Sequence, residues 1–145
     1  MNELTLSNPT DLKVTGPKLG DAFNKMAGPA APLVENLMYG WCDGHVEDYS
    51  GGCWENVEAP NGAIYRRLMD PDATFKVDNP AAYWEGEMSA DAMGMTATLF
   101  GLNHALWRVY KTNEALAKKL ETAYYKLRDF ALDGPDAGDI YAATN

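Results

Sequence analysis

The sequence predicts an α+β fold in a single domain, and three stretches point to it. Ala92 to Trp107 holds no charged side chain, and Met93, Ala97, Phe100, His104 and Trp107 recur along one face at helical spacing. A helix apolar most of the way round belongs in the middle of a core. Pro60-Asn61-Gly62 separates two short apolar segments, a hairpin signal because Asn and Gly accept the positive φ of tight turns. The third stretch is Thr112 to Gly134, where a stripe of Leu116, Leu120, Ala123, Leu127 and Phe130 faces a wet side bearing Lys118, Lys119, Glu121, Lys126 and Arg128. That is a long amphipathic helix. The expected order is an N-terminal helix, a four-stranded antiparallel meander, two long helices and a short C-terminal helix.

Taken in order, residues 1–31 read as a weakly structured arm, punctuated by Pro9, Gly16, Pro17, Gly20, Gly28 and Pro29, with one short helix near Asp21 to Met26. The domain proper is expected over residues 32–145. From Leu33 to Tyr49 the stripe Val34, Leu37, Met38, Trp41, His45 and Tyr49 predicts a helix that Ser50-Gly51-Gly52 ends. Gly40 and Gly44 lie four apart on it, a spacing suited to close approach of another backbone. Strands follow at Cys53–Ala59, Ala63–Met69, Ala73–Val77 and Tyr83–Glu87. Ser89 then offers its hydroxyl to the first free amides of the core helix, with Asp91 beside the positive end of its dipole. Thr112 is the expected cap of the last long helix and Gly134-Pro135 its stop. Asp136 to Ala143 has room for a further turn or two.

At 145 residues, with 46% hydrophobic and 23% charged side chains, the chain is long enough to bury roughly two-thirds of its unfolded surface in one core. No basic segment followed by an apolar run opens the sequence, and no stretch suits a membrane span, so a cytoplasmic protein is expected. The formal net charge is −9. Between Met26 and Tyr65 there is no Lys or Arg, while Glu35, Asp43, Glu47, Asp48, Glu55 and Glu58 are all acidic. Such a surface repels phosphates and disfavours direct nucleic-acid binding, which rests on Lys and Arg contacts.

Reaction chemistry has little to stand on. Cys42, His45, Cys53 and His104 could be drawn together as a zinc site, but no close cysteine pair supports it. Glu47/Asp48 and Glu85/Glu87 are possible acid–base carboxylates for a small enzyme acting on an unidentified substrate. No nucleophile with an attendant base, phosphate-cradling loop or dinucleotide fingerprint accompanies them, so no cofactor is expected.

The blocks Glu47-Asp-Tyr-Ser-Gly-Gly-Cys-Trp54, Asn61-Gly62, Tyr83 to Asn103 and Tyr125-Lys-Leu-Arg-Asp-Phe-Ala131 resemble, in order and spacing, the signature of the ArdB/KlcA antirestriction family, over about Leu33 to Ala143. Cys53 departs from the pattern, which has an aromatic residue there. The resemblance implies an α+β protein of plasmids, prophages or genomic islands that relieves type I restriction–modification, and it implies no enzyme. It gives a role without a mechanism. The charge pattern adds an expectation: an acidic and aromatic surface of Glu47, Asp48, Trp54, Glu85, Glu87 and Asp91 engages the type I restriction–modification complex or an associated host factor, without contact to DNA. Mimicry of DNA is disfavoured, since these acids are separated by glycines and aromatics and form no phosphate-like array.

Overall fold

A computed structural model describes residues 12–16, 20–70 and 72–144. In chain order its elements are β1 (Lys13–Gly16), α1 (Gly20–Ala27), α2 (Ala31–His45), β2 (Trp54–Glu58), β3 (Ile64–Leu68), β4 (Thr74–Asn79), β5 (Trp84–Ser89), α3 (Ala90–Val109), α4 (Glu114–Leu132) and α5 (Ala137–Thr144). The α+β class is as expected. All strand pairs are antiparallel, in the order β1-β2-β3 in one sheet and β4-β5 in a second.

α3 is the hub, contacting α2, α4, α5, β3, β4 and β5. Ser89 caps it, its hydroxyl accepting from the Ala92 amide at 3.0 Å. From Ala92 to Leu99 every residue is buried. Two of them explain why the sheets are separate. A Cβ on Gly94 would stand only 2.2 Å from the Arg66 carbonyl oxygen, so α3 lies directly against β3. One turn on, the Thr98 hydroxyl accepts from the Arg66 amide at 3.2 Å and donates to the Gly94 carbonyl at 2.8 Å. The helix thus covers the edge of β3 that the next strand of a continuous meander would have used. The expected four-stranded meander is therefore corrected to two sheets, with β4 and β5 displaced into a hairpin of their own.

The expected weak arm also needs correction over its described part; residues 1–11 lie outside the described residues. β1 pairs with β2, placing Lys13 opposite Glu58 and Val14 opposite Val57. α1 stands where the short helix was expected, and its Phe23 and Ala27 are fully buried. Burial of one Phe side chain stabilises by about 1.5–3 kcal/mol, enough to hold a short segment that its glycines and prolines would otherwise leave loose.

Other boundaries move for local reasons. α2 stops at His45 rather than Tyr49 because Val46 turns extended and bridges Val77, while the Glu47 amide donates to the Lys76 carbonyl at 2.9 Å. Asn113, not Thr112, caps α4 by accepting from the Leu116 amide at 3.1 Å; an Asn carboxamide is the stronger cap. α5 is pinned to the hairpin by the Asn79 amide group, which donates to the Ala143 carbonyl at 2.6 Å. Gly40 and Gly44 are not points of close approach, since a Cβ on either meets nothing within 4 Å. That role falls to Gly94 and Gly101, the latter against the Val34 carbonyl.

Gly94→Ala is expected to destabilise the fold by about 3 kcal/mol, because the clash is with backbone on both sides. Gly40→Ala should instead stabilise by about 0.5–1 kcal/mol, a helix glycine with free space around it. Urea unfolding of the two variants beside the parent protein checks both signs.

Candidate functional site

The acidic residues singled out in the sequence divide between one surface and one internal network. On the β4–β5 hairpin, period-two alternation turns Phe75, Val77 and Met88 inward and Lys76, Asp78, Glu85 and Glu87 to solvent. Lys76 stands opposite Glu87, and Asp78 opposite Glu85. The Val46–Val77 bridge brings Glu47 alongside, so that Glu47, Asp78, Glu85 and Glu87 surround Lys76 on a shallow furrow. Asp48 is exposed next to it, in a left-handed backbone conformation with φ 61°. Directly opposed like charges such as Asp78 and Glu85 destabilise a strand pair, and one lysine does not neutralise four carboxylates. At the hairpin turn Tyr83, also left-handed at φ 54°, is 97% exposed.

Trp54 and Asp91 are elsewhere, which corrects the expected surface. Trp54 is buried: its indole N–H donates to the Tyr49 hydroxyl at 3.3 Å, and its ring packs against Tyr39. Asp91 accepts from the Tyr65 hydroxyl at 2.5 Å and from the Arg67 guanidinium at 2.8 Å, and Arg67 also reaches Glu55 at 2.9 Å. These groups brace the start of α3 against β2 and β3. Burial first, then the Asp91 charge and its hydrogen bond, hold the Tyr65 hydroxyl protonated far above its ordinary range. Below the network Asp136 faces a cavity of about 230 Å³ shared with Tyr65, Ser89 and Asp91. Burial, then Asp139 and Asp91, raise its pKa, and a hydrogen bond with Ser89 opposes them.

The residues drawn as a zinc site do not converge. Cys42 is buried with its thiol directed at the Met93 sulfur, 3.7 Å away, whereas Cys53 is exposed. Among the described residues no group of three or more His, Cys, Asp or Glu side chains is placed to hold a metal. The two histidines do share a cavity of about 290 Å³, lined also by Trp41, Phe100, Asn103 and Tyr124. His45 stacks on Trp41 with its Nδ1 2.8 Å from the Trp41 carbonyl, and His104 packs on Phe100. No helix of the described residues is long and apolar enough to cross a membrane.

Sequence reasoning missed Lys76 and Asp78, although alternation across Thr74–Asn79 was there to place them beside Glu87 and Glu85. It also missed the exposed aromatics. Trp107, expected on the core face of α3, is 62% exposed, because the last turns of α3 direct Ala105, Leu106 and Val109 to the core and leave Trp107 on the outer side.

What these features define is a small α+β protein whose unpaired charge, among the described residues, lies on open surfaces. The chain belongs to the antirestriction protein family, whose sequence pattern matches residues 47–145. The antirestriction protein KlcA of Escherichia coli is 34% identical over 109 residues, spanning 75% of this chain and 73% of that protein. A putative antirestriction protein of the same species, YubI, is 29% identical over 115 residues, 76% of this chain and 77% of its own. A solved structure of the KlcA and ArdB proteins, described as a novel fold with antirestriction activity against type I DNA restriction systems in vivo but not in vitro, aligns with a TM-score of 0.75. It is 28% identical and covers 92% of this chain and 95% of its own.

Two measurements test the internal network. Asp91→Ala is expected to cost about 2–3 kcal/mol, since it leaves the buried Tyr65 hydroxyl without its acceptor and removes one of Arg67's two carboxylates; urea unfolding reads this. Burial also lifts the Cys42 thiol from 9.0 to about 12. Because the folded value lies above the unfolded one, the unfolded chain loses its proton first, so this contribution to stability is complete below pH 9.0 and disappears as pH rises toward 12. Unfolding free energy should fall across that window, and Cys42→Ala should flatten the early part of the fall, before the tyrosines join it.

Proposed function

We propose that this chain relieves restriction by type I systems, and that it does so as a binding protein whose partner is the restriction–modification complex or a host factor associated with it. The observation behind this is the agreement in fold, over nearly the whole length of both chains, with proteins described as antirestriction factors active in vivo but not in vitro. An activity that depends on the cell suits a mechanism in which some cellular component beyond enzyme and DNA is engaged. The outer face of the β4–β5 hairpin is the proposed contact, with Glu47, Glu85 and Glu87 at its centre and Asp48 at its margin. Asp78 and the exposed Tyr83 join them, with Tyr83 as the aromatic anchor, since Trp54 is buried. A basic patch on the partner would relieve the Asp78–Glu85 repulsion on binding, so that attraction and relief of strain act together.

The same field disfavours DNA as the direct ligand, because bringing phosphates to this face adds repulsion without a counterion to release. Asp91 acts on this surface indirectly, by fixing the start of α3. Glu47, Glu85 and Glu87 are open to solvent on a shallow furrow with Asp48 exposed beside it, unlike the concave, water-excluding setting of reacting carboxylates. We therefore read the protein as a non-enzymatic factor of the cytoplasm, where restriction takes place.

Plating of unmodified phage on a host with a type I system is expected to recover when this protein is expressed, and plating on a host with a type II enzyme is not. Combined Glu47→Lys, Glu85→Lys and Glu87→Lys should return the type I host to full restriction while leaving the thermal midpoint of the purified protein within a few degrees of the parent. Full protection by the triple variant would remove the hairpin from the mechanism, and an absence of protection by the folded parent protein would remove the antirestriction role.

A further inference from the structure

Four of the twelve Lys and Arg residues of this acidic chain line a single groove. Lys25 of α1 and Lys118, Lys119 and Lys126 of α4 line a groove of about 510 Å³ also lined by Met26 and Ile64, and among the described residues no carboxylate lines it. Lys118 has Glu121 at 3.4 Å, an exposed pair of little strength. Among the described residues Lys25, Lys119 and Lys126 form no ion pair. Two of these side chains lie beside glycines at positive φ. The stem of Lys119 runs over Gly28, φ 57°, where a Cβ would sit 3.4 Å from its Cε, and the Lys126 ammonium lies over Gly62, φ 87°, at 3.6 Å from such a Cβ. The Asn61 side-chain amide donates to the Lys126 carbonyl at 3.0 Å and fixes the hairpin turn to α4.

On the other side of α4 is a wider furrow of about 1030 Å³ between α3 and α4, and Ala115 and Lys118 belong to both. Trp107, Tyr110 and Tyr125 line it and are 62%, 43% and 53% exposed. Lysines on one flank of a helix and exposed aromatic rings on the other form one composite surface.

We infer that α4 is a docking helix for an acidic segment of another protein, whose carboxylates enter the lysine groove and whose large apolar side chains enter the aromatic furrow. Charge complementarity gives the sign of the partner, and the rings give its apolar character, since Trp and Tyr are the usual anchors of protein contacts. Single-stranded nucleic acid is the rival occupant, because it too uses cations and stacking rings. It fits less well: Glu114 and Glu121 line the aromatic furrow, so bases stacked there would bring their phosphates beside two carboxylates. Nor does any arginine line either groove. This surface shares no lining residue with the acidic hairpin furrow, and the inference does not rest on the antirestriction role.

The test is fluorescence anisotropy with the purified full chain and three labelled probes: a peptide in which Asp and Glu alternate with Leu and Phe, the same peptide with Asn and Gln for the acids, and an oligothymidylate of similar length. The acidic peptide is expected to bind at low salt, to weaken steeply with added salt, and to lose about tenfold or more in affinity with Lys119→Glu and Lys126→Glu together. Trp107→Ala should weaken it as well, whereas Lys76→Glu, on the hairpin, should not. Both lysines are exposed, and circular dichroism confirms that the double variant is folded. Equal binding of the amide peptide, tighter binding of the oligothymidylate, an acidic-peptide affinity unchanged by the double variant, or no binding at all would each overturn the inference.

Discussion

The structure depends on the contact between α3 and the edge of β3. Gly94 and Thr98, one helical turn apart, meet Arg66: the glycine has no side chain to hold the backbones apart, and the threonine hydroxyl takes the Arg66 amide that a neighbouring strand would have taken. A helix therefore satisfies a strand edge, which both protects the edge and ends the sheet. The consequences reach the surface. With that edge closed, β4 and β5 form a two-stranded sheet of their own, met by the single Val46–Val77 bridge, and Lys76, Asp78, Glu85 and Glu87 are presented together on this ribbon.

β3 is the second member of that contact, and its alternation distributes charge to two sides. Tyr65 and Arg67 reach Asp91 at the N-terminus of α3. Arg66 points the other way, donating to the Asn56 side chain at 2.7 Å, lying 3.8 Å from Glu35 and stacking over Phe23, while Tyr39 donates to Glu35 at 2.6 Å. Charges this deeply placed stabilise only when several partners converge on each of them, and removal of one partner is costly. Glu35, Glu55 and Asp91 are used in this way. Their acidity serves the interior, and only part of the negative charge legible in the sequence is available to a partner.

Much of this was readable before the structure, for physical reasons that differ by element. The uncharged run in α3, its Ser89 cap and the Asn61-Gly62 turn are local signals, each decided within a few residues, and each holds its place. What the sequence did not disclose depends on distant residues. The burial of Phe23 and Ala27 requires the sheet and helices to be assembled around them. Trp54 and Glu85 both lie in short strands with mixed patterns, and only the layer each strand faces separates a buried ring from an exposed acid. Gly40 and Gly44 had the spacing of close-packed helices, yet helix packing is set by which face meets a neighbour, and that face of α2 meets solvent. The lysine groove had no sequence signature, because Lys25 and Lys126 are far apart in the chain and look like ordinary wet-face residues on their own helices.

The separation of charge itself calls for a cause. Neutralising a surface is easy, since a single exposed substitution changes stability by about 0.5 kcal/mol or less, so nothing in the fold obliges Asp78 to oppose Glu85 or Lys119 and Lys126 to go unpaired. Folding alone would favour the mixed surface pairs found at Lys118 and Glu121. Two fields each dominated by one sign, with an exposed aromatic beside each, impose a small repulsive cost on the free protein that an oppositely charged partner would offset. Such a cost is consistent with selection for binding, and fixed backbone strengthens the case: the Asn61 side chain ties the hairpin turn to α4 beside Lys126, and the Val46–Val77 bridge positions Glu47. The closing of one strand edge by α3 is what leaves the acidic ribbon on the surface, with Lys76, Asp78, Glu85 and Glu87 all facing solvent.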